Sequence, residues 1–357
     1  MRKKIHISYI LFQVLLLVFL TAIQACASSP TREADKPQHH TTDGFRNFPS
    51  VEKAEASLGF RFYWRRFMAS FKTPEIPDSH VIPQESALRL YNKLQPENTI
   101  TWIGQSTLLI KVGGKIILTD PFFSAYASPL PMGPRRYVDP GISAAYLPKI
   151  DMILISHNHY DHLDAKFLKS LANKETIQVC VPLGLRKFFG DLGYSQVFEL
   201  DWYDTQSING FRLTALPTVH YSGRGMVDKN RSLWCSWAIS HPSGDYFFIG
   251  DSAYSPTLFK EIGTKFQSFD LAMLTIGTYG NRKYGVNNHT NPEEAVQIGR
   301  EINARALMGI HWGTIDLSEE DPWEPPVRFE SAAQKAGYRP QDAWVMKIGE
   351  TRILPGN

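Results

Sequence analysis

Cysteine is scarce. The 357 residues hold three, Cys26, Cys180 and Cys235, which is no disulfide framework. An excess of charge is lacking too: the formal net charge is +3, too near neutral to point to nucleic acid as a partner. No internal repeat is visible. Long apolar runs are confined to one, residues 7–23, broken only by Ser8, Gln13 and Thr21. What remains is 43% hydrophobic and 20% charged, the balance of a globular chain with a sizeable core. Its length allows one large domain or two ordinary ones.

The apolar run follows Arg2, Lys3 and Lys4 and ends Ile23-Gln24-Ala25-Cys26. A basic start, an apolar stretch and a small residue before a lone cysteine resemble a bacterial lipoprotein signal, in which Cys26 becomes the lipidated start of the mature chain. An uncleaved membrane helix is the other reading. Ala27 rather than an aspartate follows the cysteine, so the lipoprotein reading implies an exported chain on the outer membrane or periplasmic face of a Gram-negative cell. The chain then divides into residues 1–26, a signal; 27–97, a polar tether with an aromatic and basic segment; and 98–357, the main domain. In the tether, His39 and His40 read as incidental. Residues 58–71 interleave Phe60, Phe62, Tyr63, Trp64, Phe67 and Phe71 with Arg61, Arg65 and Arg66. They suit either a membrane surface or packing against the main domain.

The chemistry is densest at Ser156-His157-Asn158-His159-Tyr160-Asp161-His162-Leu163-Asp164. The apolar residues Met152 to Ile155 before it predict a buried strand, and a helix is expected over 165–172. Imidazole and carboxylate so close together suit a divalent metal such as zinc. His157-x-His159 sends two rings to one side of an extended loop. Asp161 and His162, where the chain turns toward a helix, can address a second position, so two metals are expected. Other ligand-type residues close predicted strands: His220 after 211–216, Asp251 after 246–249 and His311 after 304–310. Ligands gather beyond strand carboxyl ends in α/β folds, so these three are expected to converge on the histidine motif.

Strands at 99–103 and 107–112, a Gly113-Gly114 turn and a return over 115–119 predict hairpins. Further strands are expected at 177–181, 197–200, 233–240 and 271–275. Helices are expected over 183–189, 256–262, 292–302 and 328–335. Residues 122–148 form a long irregular insertion, which in a compact domain is usually functional. Hairpins first and strand–helix units later argue an α/β chain with two mixed sheets packed together and helices outside. Cys180 and Cys235 lie in apolar surroundings and read as buried small hydrophobes.

His157-x-His159-x-Asp161-His162 with His220, Asp251 and His311 resembles the metallo-β-lactamase superfamily, over about residues 99–350. Thr101-Trp102-Ile103-Gly104, Leu118-Thr119-Asp120-Pro121, Ala127-Ser128-Pro129, His289 with Asn291-Pro292-Glu293-Glu294-Ala295, and His311-Trp312-Gly313-Thr314 are similar to the N-acyl-phosphatidylethanolamine-hydrolysing phospholipase D family. Gln105-Ser106-Thr107 stands where that family often has His-Ala-Thr, and residues 221–231 depart from it. The resemblance implies an αβ/βα sandwich and two Zn²⁺. His157, His159 and His220 would hold one ion, and Asp161, His162 and His311 the other, with Asp251 bridging. It places catalysis on Asp161, Asp251 and His289, and substrate contacts on Tyr160 and His289. For Tyr160 a structural role is the other reading, and for His289 a surface position before a helix. The implied reaction cleaves N-acyl-phosphatidylethanolamine to N-acylethanolamine and phosphatidic acid, with phospholipid and the membrane surface as partners. A second copy of the chain is left open as a further partner. The alternative is a lactonase, or another phosphodiesterase with a non-lipid substrate, on the same metals.

Overall fold

A computed structural model describes residues 36–50, 73–225, 227–284 and 287–356. The apolar run, Cys26 and the aromatic segment over 58–71 lie outside the described residues.

The chain folds as two seven-stranded sheets. The first is built from β1 (Thr99–Gly104), β2 (Thr107–Val112), β3 (Lys115–Thr119), β4 (Met152–Leu154), β5 (Gln178–Pro182) and β6 (Gln196–Leu200), with a late strand returning to its edge. The second contains β7 (Thr205–Ile208), β8 (Phe211–Leu216), β9 (Ser236–His241), β10 (Gly244–Phe248), β11 (Phe269–Thr275), β12 (Ala304–Ile310) and β13 (Ala343–Trp344). The returning strand is β14 (Thr351–Ile353), and the first sheet runs β14-β1-β2-β3-β4-β5-β6. Each sheet changes from antiparallel to parallel part-way. In the first, β1, β2 and β3 pair as hairpins and β3 to β6 run parallel. In the second, β7 to β10 are antiparallel and β10 to β13 parallel. The Gly113-Gly114 turn holds, with Val112 opposite Lys115 and both glycines at positive φ, as a two-residue hairpin loop requires.

The near-continuous apolar strands of the first sheet follow from burial on both faces. Ile100, Trp102, Leu108, Ile110, Ile117, Met152, Leu154 and Cys180 point into the core shared with Leu213, Ala215, Trp237, Ile239 and Phe247 of the second sheet. The alternate residues Ile103, Leu109, Leu118, Ile153, Val179 and Val181 face a separate cluster with Phe167, Leu168 and Phe189. These last three belong to helices laid outside the sheet, Ala165–Ser170 and Arg186–Asp191. The architecture is therefore the expected α/β sandwich of two mixed sheets. Cys180 and Cys235 are buried and free, and burial pushes the Cys180 thiol up to about 12.

Some expected elements shift. The helix expected over 183–189 starts later, at Arg186, because Leu183 and Gly184 are tied elsewhere. Leu233 N–H donates to the Leu183 carbonyl, and Gly184 N–H to Glu199 Oε1. Helix Gln84–Lys93 and strands β7, β13 and β14 were not expected. Residues 36–50, expected within a polar tether, instead lie on the main domain, with Phe45 N–H donating to the Asn230 carbonyl at 2.8 Å. The 122–148 insertion is irregular, as expected. Its Arg136 guanidinium is buried and donates to the Phe122 and Ile103 carbonyls. Phe122 and Trp312 are buried in the core.

Candidate metal centre

Four chain segments deliver the site, each from the end of a strand. β4 ends at Leu154, and two backbone bonds then fix the outgoing chain: Ile155 N–H to the Cys180 carbonyl and Cys235 N–H to the Ser156 carbonyl. His157, His159, Asp161 and His162 follow. His220 comes after β8, where Val219 N–H donates to Ser252 Oγ and Ala253 N–H to the Val219 carbonyl. Asp251 follows β10 through Gly250, at φ +61°, whose absent Cβ would lie 2.3 Å from Ser156 Cβ. Only glycine permits that approach of the two segments. His311 follows β12 at φ +62°, a left-handed conformation that costs a non-glycine residue energy and is commonest at functional sites.

The seven predicted ligand residues are all brought together; six are buried and His159 is half-buried. His159 Nδ1 is 2.8 Å from His157 Nε2 and 3.2 Å from His220 Nε2. His162 Nε2 and His311 Nε2 each lie 3.3 Å from Asp161 Oδ2. Asp251 stands between the two groups. Its Oδ1 is 3.2 Å from His311 Nε2, and its Oδ2 is 3.1 Å from His162 Nε2, 3.6 Å from His220 Nε2 and 3.7 Å from His157 Nε2. Two adjacent donor sets result: His157, His159, His220 and Asp251, and Asp161, His162 and His311.

The outward nitrogens explain which atom each ring turns inward. His162 Nδ1 donates to Asp120 Oδ2 at 2.7 Å. His157 Nδ1 meets Ser156 Oγ at 2.8 Å, and that hydroxyl donates to Asp120 Oδ2 at 2.5 Å. His220 Nδ1 donates to the Asn288 carbonyl, and His311 Nδ1 meets Thr278 Oγ1. With Nδ1 engaged outside, each of these four rings can present the Nε2 lone pair to the centre, the arrangement that orients metal-bound histidine.

The electrostatics agree. Burial and neighbouring rings depress His157 well below imidazole's usual range, and burial first of all takes His159 to about 3 and His220 to about 4. Burial also opposes charge on His162 and His311. The carboxylates Asp251 and Asp161 outweigh it, raising His162 well above its ordinary value and His311 to about 9. Asp161 and Asp251 would be raised by burial, yet His162 and His311 hold them well below the carboxylate range. Three rings kept unprotonated, and two ionised carboxylates whose charge only protonated His162 and His311 could otherwise balance, converge in a nearly dry space and fit a divalent cation.

His289 is buried, not on the surface. Its Nδ1 lies 3.8 Å from Asp251 Oδ2 and has no hydrogen-bond partner. It is aimed there by the start of helix Pro292–Glu301. Asn291 and Glu294 form a capping box, and Thr290 Oγ1 donates to the Thr275 carbonyl. Tyr160 is placed differently: its hydroxyl donates to the Arg224 carbonyl at 2.8 Å, and the Arg224 guanidinium sits 3.9 Å over its ring. Arg224 also donates to the Asn158 and Leu163 carbonyls, so Tyr160 and Arg224 together brace the histidine loop.

Three contributors had no role assigned from the sequence: Asp120, Ser156 and Gln105. Asp120 closes a strand, as Asp251 does, and that signal could have singled it out. Gln105 Nε2 donates to Asp161 Oδ2 at 2.9 Å and lies equally close to His311 Nε2.

Comparison with known proteins agrees with this geometry. The Beta-lactamase superfamily domain matches residues 115–312. The chain is 35% identical over 260 residues to the "N-acyl-phosphatidylethanolamine-hydrolyzing phospholipase D, mitochondrial" of Saccharomyces cerevisiae, covering 71% of this chain but only 55% of that protein. It is 37% identical over 237 residues to "N-acyl-phosphatidylethanolamine-hydrolyzing phospholipase D 1" of Caenorhabditis elegans, covering 63% of this chain and 67% of that one. A metallo hydrolase from Ignicoccus hospitalis shares the fold, with a TM-score of 0.53 at 19% identity over 71% of this chain and 97% of that one. The superfamily match spans more than half of the chain and takes in all seven predicted ligands of this centre, so the chain belongs to the beta-lactamase superfamily.

Proposed function

We propose that the chain is a phospholipase D-type phosphodiesterase acting on N-acyl-phosphatidylethanolamine with two zinc ions, releasing phosphatidic acid and N-acylethanolamine. The observation that carries this reading is Asp251 standing between two complete donor sets. The names of the yeast and nematode relatives supply the substrate. His157, His159 and His220 would hold one ion, Asp161, His162 and His311 the other, and Asp251 would bridge them. Bound there, the two cations would acidify water at neutral pH and neutralise charge growing on the phosphoryl oxygens. The remaining work falls to the chain's own residues. Asp120 and Ser156 keep the His162 and His157 rings turned. His289, held neutral because burial lowers it well below the usual range, offers Nδ1 as a free hydrogen-bonding atom for a phosphoryl oxygen. Gln105 steadies Asp161.

The bond broken distinguishes this reaction from its alternatives. With the substrate turned over in ¹⁸O-labelled water, the label is expected in the phosphate of phosphatidic acid, since attack is at phosphorus. Label in the hydroxyl of N-acylethanolamine would refute the mechanism. Lactone opening without lipid turnover would transfer the assignment to a lactonase.

The reading also places the enzyme at a membrane, through a lipidated Cys26. Cys26→Ser is then expected to block lipidation and processing, leaving a longer, unlipidated chain that keeps its apolar run. A wild-type chain recovered soluble and without lipid would rule the anchor out.

A further inference from the structure

The adjacent histidines of the N-terminal arm, expected to be incidental, are not. Neighbouring side chains on an extended segment point to opposite sides. Here a turn intervenes, closed by His40 N–H to the Pro37 carbonyl at 2.9 Å, and both rings converge on one carboxylate just past β6. His39 Nε2 is 2.5 Å from Asp201 Oδ1, and His40 Nε2 is 2.7 Å from Asp201 Oδ2.

The ring disposition repeats that of the catalytic centre. His39 and His40 have centroids 4.6 Å apart at 72°. His157 and His159 are 4.4 Å apart at 84°, and His157 and His220 are 4.7 Å apart at 77°. All three members are held from behind. His39 stacks on Trp202 at 4.2 Å, and His40 meets the edge of Phe45 at 5.0 Å. Asp201 accepts from Trp202 N–H, and its own N–H donates to Asp204 Oδ2. His39 is buried while His40 and Asp201 are half-buried, which leaves outward positions for water. Two imidazoles and a carboxylate with open positions are the donor set of a borderline divalent ion.

We propose that His39, His40 and Asp201 form a separate divalent-cation site, of the zinc or cobalt class, that staples the N-terminal arm to the catalytic body. The carboxyl of Asp201 is available for it: burial would raise its pKa, but the two histidines hold it below the usual range.

The staple has a consequence for catalysis, because the same arm grips a predicted metal ligand. Asn47 Nδ2 donates to the His220 carbonyl at 2.9 Å, and Asn47 Oδ1 accepts from His220 N–H at 3.1 Å and from Trp234 Nε1 at 3.0 Å. Binding that favours only the docked arm adds its free energy to docking, so filling the outer site steadies the backbone that carries His220.

Full-length wild type is compared with His40→Gln and with His39→Ala/His40→Ala after equilibration with zinc chloride. Metal is counted by elemental analysis, and hydrogen exchange is followed over residues 36–48. Glutamine at position 40 still donates to Asp201 but is a poor zinc ligand. Both variants are expected to hold about one ion fewer per chain, a difference that stands whatever the catalytic centre contains. Zinc should slow exchange of the wild-type arm roughly tenfold at ten times its Kd, and leave the variants' arms unchanged. A double variant that fails to fold loses every ion, and His40→Gln then decides. Equal metal in wild type and His40→Gln, or an arm whose protection survives chelation of zinc, would overturn the site and leave a hydrogen-bonded clasp.

Discussion

Asp251→Ala is expected to remove metal from both donor sets together and to abolish hydrolysis. Its two oxygens are the contact between the sets, with Oδ1 facing His311 and Oδ2 facing His162, His220 and His157. Without it the rings must share a pocket whose negative charge has shrunk to Asp161 and the more distant Asp120. Four or more imidazoles then face any bound dication with too little anionic compensation. Lewis-acid stabilisation of a phosphoryl transition state is worth several kcal/mol, so the rate should fall by about three orders of magnitude or more. Elemental analysis of purified variant and wild type, beside circular dichroism to show that the sandwich is intact, is the check. Full metal content in an active Asp251→Ala protein would remove Asp251 from the centre.

Asp120→Asn should be nearly as damaging, although Asp120 is not one of the seven predicted ligands. Both its oxygens are fully used as acceptors and the residue is completely buried. Oδ1 takes Ser156 N–H at 2.6 Å; Oδ2 takes Ser156 Oγ–H and His162 Nδ1–H. Asparagine keeps one acceptor and turns the other into a donor. Either the Ser156 amide or the His162 ring therefore loses its partner, which costs about 1–3 kcal/mol of stability at a buried site. It also frees the His162 ring to turn. Loss of such an orienting partner typically lowers metal affinity by about 10–100-fold. The ion held by Asp161, His162 and His311 should leave first in a titration with a chelator, and the His157, His159 and His220 ion later, because Ser156 still faces His157. Simultaneous release of both ions at wild-type chelator concentration would show that Asp120 does not orient the ring.

The difference between these two aspartates marks how far the chain could be read in one dimension. Asp251 was legible because it closes a predicted strand and completes a ligand pattern begun at His157. Asp120 also closes a strand, but its partners are Ser156 and His162 on a neighbouring strand's loop, and only the parallel pairing of β3 with β4 makes them neighbours. The hairpin at Gly113-Gly114, the buried strand before His157 and the helix begun by Asn291-Pro292 were equally readable, since turn chemistry, apolar runs and capping are local. The helix Gln84–Lys93 escaped notice because its N-terminus carries no side-chain cap and it lies within residues 27–97, read as a polar tether with an aromatic and basic segment. The two-residue β13 and three-residue β14 are too short to carry a period.

The sequence by itself determined which residues were candidate donors, their order along the chain and the apolar runs of the first sheet, because each signal, a ligand-type residue closing an apolar strand, lies within a few positions. Tertiary structure decided the rest. It set which nitrogen each ring turns inward, through Asp120, Ser156, Asn288 and Thr278. It turned Tyr160 under Arg224. It also laid the 36–50 arm across the sandwich, so that Asn47 holds the backbone of a residue 173 positions away. The physical reason is common to all three: a polar side chain has many partners it could satisfy, and only the packing of the two sheets selects the one within reach.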